Sequence, residues 1–258
     1  MQGIKGIDVS RYQGDIDWCA AAEDGVGFAM IKALQGASMV DKCFLQNARG
    51  AEEAGVPFGV YVYSKAQSAD DARAEARAVI ELTSGFTLRW PVAIDVESEH
   101  FREMEGSLLA DIINAFCTEV KSAGLVPIVY SNKYWLMNVI PAVCSRTWDI
   151  WLAQWRKTDP DYPGPFTMWQ HGRGEVKGID TTVDLDISLV DYSAVTEAVR
   201  PAVFRVETPY LRGEPYEKMQ LALIAANYTD SNGDPLDPDG VWGPKSQSAL
   251  EKFIKRHG

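Results

Sequence analysis

Pro91-Val-Ala-Ile-Asp-Val-Glu97 is the stretch on which the fold turns. Four mostly apolar residues run into two carboxylates spaced i, i+2. Small and β-branched apolar residues fill both faces of the run, as in a buried strand. Side chains alternate along a strand, so Asp95 and Glu97 should share one side at its carboxyl end. Two acids held side by side in a partly dry cleft do not both ionise easily. One pKa is pushed up while the other group stays charged. Such a pair suits acid-assisted cleavage of a glycosidic bond. A strand end with two solvated acids is the alternative.

Outward from this strand the same unit recurs. Strands are expected at 3–9, 26–34, 57–63, 91–95 and 126–130. Helices are expected between them at 18–23, 41–54, 69–82 and 107–123. Asp17 is placed to cap the first helix, and Gly55 and Gly124 to stop later ones. Alternating strand and helix implies parallel strands with helices outside. After residue 131 the rhythm loosens. Short strands at 149–153, 166–169 and 183–187 are joined by loops, and a helix is expected at 191–199. Eight strands with a helix-poor second half suggest an irregular, TIM-like (β/α) barrel. Asp8, Asp95 and Glu97 then fall at carboxyl ends of strands, where barrel enzymes place their chemistry. Tyr61, Tyr63, Tyr130, Trp151, Trp155 and Trp169 cluster at the same ends, and aromatic faces suit sugar rings.

The pattern breaks near Arg200-Pro201. The expected organisation is a barrel over 1–199, a Pro-containing linker over 200–212 and a small all-α unit over 213–258. In that unit, helices at 216–227 and 245–256 flank an Asp/Asn/Gly/Pro loop and a tight turn, Gly240-Val-Trp-Gly243. The loop has fragments of a calcium-binding pattern without its terminal Glu, so no calcium site is expected. From residue 204 onward there are seven basic and eight acidic residues, which leaves −10 of the net −11 on the larger unit.

The chain has 258 residues, enough for one large domain with a small one. Its acidic balance argues against a nucleic-acid partner or an anionic membrane surface. There is no apolar run long enough to span a bilayer. The start, Met-Gln-Gly-Ile-Lys-Gly, is unlike a signal peptide. That suits synthesis in the cytoplasm, or an exported protein whose leader was removed. Cys19, Cys43, Cys117 and Cys144 are widely spaced, as are His100, His171 and His257, so neither a disulfide scaffold nor a metal site is expected. No cofactor is expected, and the chain is expected to be a monomer.

Gly6-Ile-Asp-Val-Ser-Arg-Tyr-Gln-Gly-Asp-Ile-Asp-Trp18 resembles the opening of glycoside hydrolase family 25, the Chalaropsis-type lysozymes. Matches follow in order at Ile31-Lys-Ala33 with Gly36, Gly59-Val-Tyr61, Ile94-Asp-Val-Glu97, Val129-Tyr-Ser131, Trp151-Leu-Ala-Gln154, Trp169-Gln170, and Gly178 with Val183-Asp-Leu185. The resemblance covers about residues 3–190. It departs at Leu34-Gln35-Gly36, where the family often has Thr-Glu-Gly. The C-terminal unit resembles helical peptidoglycan-binding domains through Gly213, Tyr216, Met219-Gln220, Leu223, Tyr228, Asp239-Gly-Val-Trp-Gly243 and Ser248 to Phe253. The segment that closes that family's domain is missing here. A brace on the barrel is the alternative.

The resemblance implies a muramidase that cuts the β-1,4 bond from N-acetylmuramic acid to N-acetylglucosamine in peptidoglycan, as an endolysin or an autolysin does. Glu97 would be the general acid and Asp95 the second carboxylate, with Asp8 and Asp184 completing an acidic floor. Lys32, Tyr61, Tyr63, Tyr130, Trp151, Gln154, Trp169 and Gln170 would contact the glycan. Asp95 could attack carbon directly or steer the substrate's own N-acetyl group, and its spacing resembles the second case. Two alternatives stand beside the muramidase. One is another N-acetylhexosamine glycosidase, such as a chitinase-like barrel. The other is a non-catalytic wall-binding protein.

Overall fold

Period-two alternation sorts the strand side chains into two sets, and the sets become two layers. One set, including Ile7, Ile31, Val60, Val62, Ile94 and Val129, faces outward and packs under the helices. The other, including Phe28, Met30, Ala93, Ile128, Trp151 and Met168, fills the interior of a closed ring. The computed structural model describes residues 3–156, 158–194 and 211–257. Its strands are β1 (Ile4–Val9), β2 (Phe28–Gln35), β3 (Met39–Val40), β4 (Phe58–Tyr63), β5 (Val92–Asp95), β6 (Pro127–Asn132), β7 (Asp149–Ala153), β8 (Met168–Gly174) and β9 (Val183–Ser188). The helices between them are α1 (Trp18–Glu23), α2 (Phe44–Glu53), α3 (Ala69–Thr83), α4 (Gly106–Ser122), α5 (Lys133–Asn138) and α6 (Ala142–Thr147).

The ring order is β1-β9-β8-β7-β6-β5-β4-β2, closed by β1–β2, with β3 appended to β2. This is the eight-stranded, irregular (β/α) barrel expected. Seven of its strands run parallel. The eighth, β9, runs antiparallel to both neighbours. A parallel crossover needs a dozen or more residues, and the β8–β9 connection (175–182) is too short for one. The half after residue 131 is less bare than expected. Asn132 accepts a hydrogen bond from the Trp135 amide at 3.1 Å and so caps α5, and α6 follows before β7. The helix expected at 191–199 and the linker at 200–212 lie largely outside the described residues.

The lower end of the barrel is plugged by aromatic packing. Phe28 and Trp90 stack at 3.9 Å between ring centroids, and Tyr192 meets Trp90 edge-on at 5.5 Å. The plug leaves the carboxyl ends of the parallel strands as the open end. Loops there are tied to helices by buried groups. Glu75 of α3 accepts from the Ser64 hydroxyl at 2.6 Å and the Lys65 amide at 2.7 Å, which fixes the turn after β4.

By its contacts the chain divides into two units, Met1–Arg200 and Pro201–Gly258. The second has two helices, α7 (Glu214–Ala225) and α8 (Pro244–His257), around Leu223, Tyr228, Leu236, Trp242 and Ala249. The stretch expected as a tight turn contains a strand, β11 (Val241–Trp242), paired antiparallel with β10 (Leu211–Arg212). The Asp/Asn/Gly/Pro loop is ordered by Asp230 itself, whose carboxylate accepts from the amides of Asn232 and Asp234, both at 2.9 Å. Among the described residues no cluster of His, Cys, Asp or Glu has the arrangement of a metal site.

Candidate active site

Register and parity place the acids. Asp95 pairs with Tyr63 of β4 and Tyr130 of β6, so its side chain enters the barrel between two tyrosines. Glu97, two residues on, follows on the same side. Across the ring Asp8 sits directly opposite Asp184 on β9, and Asp184 directly opposite Arg173 on β8. One residue level lower, Gly6, Asp186 and Gln170 form a second row. The structure therefore brings Asp8, Asp95, Glu97 and Asp184 to one opening, as expected.

Two β-bulges complete the set. The β2–β4 ladder shifts between Lys32 and Leu34, and the β8–β9 ladder between Gln170 and Gly172. Each extra residue resets the alternation. As a result Lys32 and Gln35, three apart, both face the cleft, as do Gln170 and Arg173.

The opening has two lobes. The larger, about 660 Å³, is lined by Tyr12, Gln13, Lys32, Gln35, Tyr63 and Lys65 besides the acids. The smaller, about 260 Å³, is lined by Tyr130, Trp151, Trp155 and Gln170. Asp8, Tyr61, Asp95, Glu97, Arg173 and Asp184 border both. The carboxyls thus stand at the waist of a cleft with room on each side, which suits a polymer bound across it.

Burial dominates the electrostatics. It pushes Asp95 well above the ordinary carboxylate range, with Glu97 adding to the rise and Lys32 opposing it. Glu97, half-buried, is also raised by burial, against the pull of Lys32. Asp8 is raised to about 7, by burial first and then by Asp184 opposite it. Burial thus disfavours the charged form of both members of the Asp95–Glu97 pair. Both members are raised, whereas the sequence suggested that one would be pushed up while the other stays charged. Asp95 Oδ1 is buried with no partner among the described residues.

The interior carries an acid that sequence reasoning missed. Asp186 is 1% exposed and accepts from Trp151 Nε1 at 2.7 Å. Burial, then Asp8, push it well above the ordinary carboxylate range, and its side chain meets that of Asp8. The signal was present as the alternation Val183-Asp-Leu-Asp186, which puts Asp186 on the same face as Asp184.

Gln170 is a hub rather than an open contact. Its Nε2 donates to Asp8 Oδ2 at 2.8 Å, and its Oε1 accepts from Trp155 Nε1 at 3.0 Å and Tyr130 Oη at 3.3 Å. Arg173 binds Asp184 at 2.7 Å and lies 5.0 Å over the Trp155 ring. Tyr61 and Tyr130 meet Trp151 edge-on at 6.1 and 4.5 Å, which makes Trp151 a buried floor. Two expected contacts are not brought to the cleft. Trp169 belongs to the outer layer and donates to the Gln154 carbonyl at 2.8 Å. Gln154 directs its side chain to the Asp161 loop.

Comparisons with known proteins bear on this cleft. A family model described as "Glycosyl hydrolases family 25" matches residues 7–179. The chain is 26% identical to the "Autolytic lysozyme" of Clostridium acetobutylicum over 252 residues, 97% of this chain and 72% of that protein. It is 28% identical to "Lysozyme M1" of Streptomyces globisporus over 201 residues, 70% of this chain and 66% of that protein. Among solved structures the CTP1L endolysin superposes with a TM-score of 0.66 at 22% identity, over 75% of this chain and 69% of that one. At that identity the likeness speaks to fold.

Proposed function

Since the chain belongs to glycosyl hydrolases family 25, it is a glycoside hydrolase, and we propose that Glu97 and Asp95 are the carboxyls with which it cuts peptidoglycan. The activity is that of an N-acetylmuramidase: hydrolysis of the β-1,4 bond between N-acetylmuramic acid and N-acetylglucosamine. The observation that carries the assignment is the placement of a carboxyl pair, both members raised by burial, at the waist of a two-lobed cleft.

Glu97 borders both lobes and is the less buried of the pair, so it is the group that hands a proton to the leaving oxygen. Asp95 is the more buried of the two and the more strongly raised, and a carboxyl whose anion is disfavoured is a poor nucleophile. Its unpartnered buried oxygen is instead suited to orienting the substrate's N-acetyl group, whose own oxygen then attacks. Asp8 and Asp184 face the oxocarbenium-like transition state, where negative charge fixed in advance stabilises developing positive charge. Gln170 and Asp186 hold Asp8 in position. Tyr61, Tyr63, Tyr130 and Lys32 line the path of the glycan. The C-terminal unit is a wall-binding module, and action on the cell wall as an endolysin fits the whole.

Mass spectrometry of fragments released from purified wall tests the assignment. Muramic acid at every new reducing end is the expected result. N-acetylglucosamine there, or release of peptides alone, would overturn it. Cleavage of chitin in preference to wall would favour the chitinase-like alternative.

A further inference from the structure

The larger lobe contains two cations: Lys32, placed so far only along the path of the glycan, and Lys65, which has no role in the reaction chemistry above. Lys32 Nζ lies 4.9 Å from the Tyr63 ring centre, and Lys65 Nζ lies 4.8 Å from it. Arg173, which borders both lobes, is already paired with Asp184. Among the described residues, neither Lys32 nor Lys65 makes an ion pair. The lobe thus presents two ammonium groups about one tyrosine ring, which feel Asp95 and Glu97 only from beyond ion-pair distance.

Lys65 is held in place rather than waving from a loop. Its amide donates to Glu75, a carboxyl that is only 2% exposed. Its Nζ donates to Ser98 Oγ at 2.9 Å, and Ser98 is itself buried. His100 completes the frame, with Nδ1 at 2.8 Å from the same hydroxyl and Nε2 at 3.1 Å from the Ala66 carbonyl. A neutral hydroxyl is a weak partner for an ammonium, which leaves further donor capacity directed at the lobe. Lys65 lies one turn of chain beyond Tyr63 and lines the same cavity as Glu97.

We propose that Lys65, with Lys32 beside it, is a specificity-determining residue that pairs with a carboxylate on the muramoyl substituent of the glycan. This inference rests on the muramidase assignment. Of the two alternating sugars only the muramic acid carries an acid, either as a free lactyl carboxylate or through the peptide attached to it. N-Acetylglucosamine has none. A cation fixed on one side of the scissile bond therefore sets which sugar occupies that side, and so which of the two alternating bonds is cut.

The test uses the full chain with Lys65→Met and Lys65→Arg. Three soluble glycans are compared: strands stripped of peptide with free lactyl carboxylates, the same strands with those carboxyls converted to methylamides, and uncrosslinked strands bearing stem peptides. KM and kcat are read from the release of reducing ends. Lys65→Met should raise KM about tenfold on carboxylate-bearing strands, as loss of one charge-assisted hydrogen bond would. It should change KM by less than about twofold on the methylamide, and Lys65→Arg should recover most of the loss. An effect on stripped strands assigns the lactyl carboxylate, and one confined to peptide-bearing strands assigns the stem. Equal changes on charged and neutral strands, or none on any, overturn the inference while leaving the muramidase intact. A parent enzyme that cuts none of the three overturns both.

Discussion

Asp95 and Glu97 are legible at the scale of single residues because they are neighbours in the chain and share a strand face. Asp8 was legible by its place at a strand end, but its raised pKa and the presence of Asp186 beneath it were not, because both depend on partners far away in sequence. Replacing Glu97 with Gln keeps its shape and removes its proton. Turnover should fall by roughly 10²–10⁴-fold, with an unchanged circular dichroism spectrum. The parent's alkaline limb should lie above the ordinary Glu range near about 4.3, because burial raises Glu97. Activity already lost at pH of about 5 would contradict this. Asp8 makes a second prediction. Its pKa is raised from 3.8 to about 7, so the folded protein holds that proton where the unfolded chain has released it. The charged carboxylate therefore costs stability, progressively from pH 3.8 to about 7 and fully above that. Asp8→Asn removes the cost. Its Tm advantage over the parent should be absent below pH of about 4, grow toward 7 and then level off, each kcal/mol being worth roughly 2–4 °C. A difference constant with pH would refute the raised pKa.

Elements were legible where the chain alternates strand and helix regularly, and less so where direction and parity enter. Alternation marks β9 as a strand but does not encode its direction, which follows from the short connection before it. Trp169 was misplaced for a similar reason. The seventh expected strand ended at Trp169, whereas the corresponding β8 runs on to Gly174 and puts Trp169 on its outer face. The bulges were hidden altogether, since an extra residue in a ladder shows only against its partner strand. They decide which side chains enter the cleft. Glycine matters most where strands and loops crowd. A Cβ on Gly59 would lie 2.2 Å from the Pro91 carbonyl oxygen, next to the strand that bears Asp95. Gly59→Ala should therefore lower stability by roughly 1–3 kcal/mol, read as a lower urea midpoint with the slope preserved. An unchanged midpoint would mean that the loop yields freely.

The whole molecule combines a hydrolase with a small helical unit, and the wall-binding role proposed for that unit is separable from hydrolysis by experiment. Removing 204–258 should lower the fraction of protein that sediments with intact wall and leave hydrolysis of soluble glycan fragments as it was. Unchanged sedimentation would make the unit a brace. The ring itself has a consequence in time. Asp8 and Asp184 stand opposite each other only because the first strand of the barrel zips to the last, across nearly the full length of the unit. Contacts so distant along the chain form late, since the entropy of loop closure is lost before they return anything. Helices and the inner strand pairs can form while the acids are still apart. On dilution from urea, helical signal should recover first, and hydrolysis should return only with the slowest phase. Catalytic competence would then report barrel closure, and a simultaneous return of both signals would show that the ring assembles in one step.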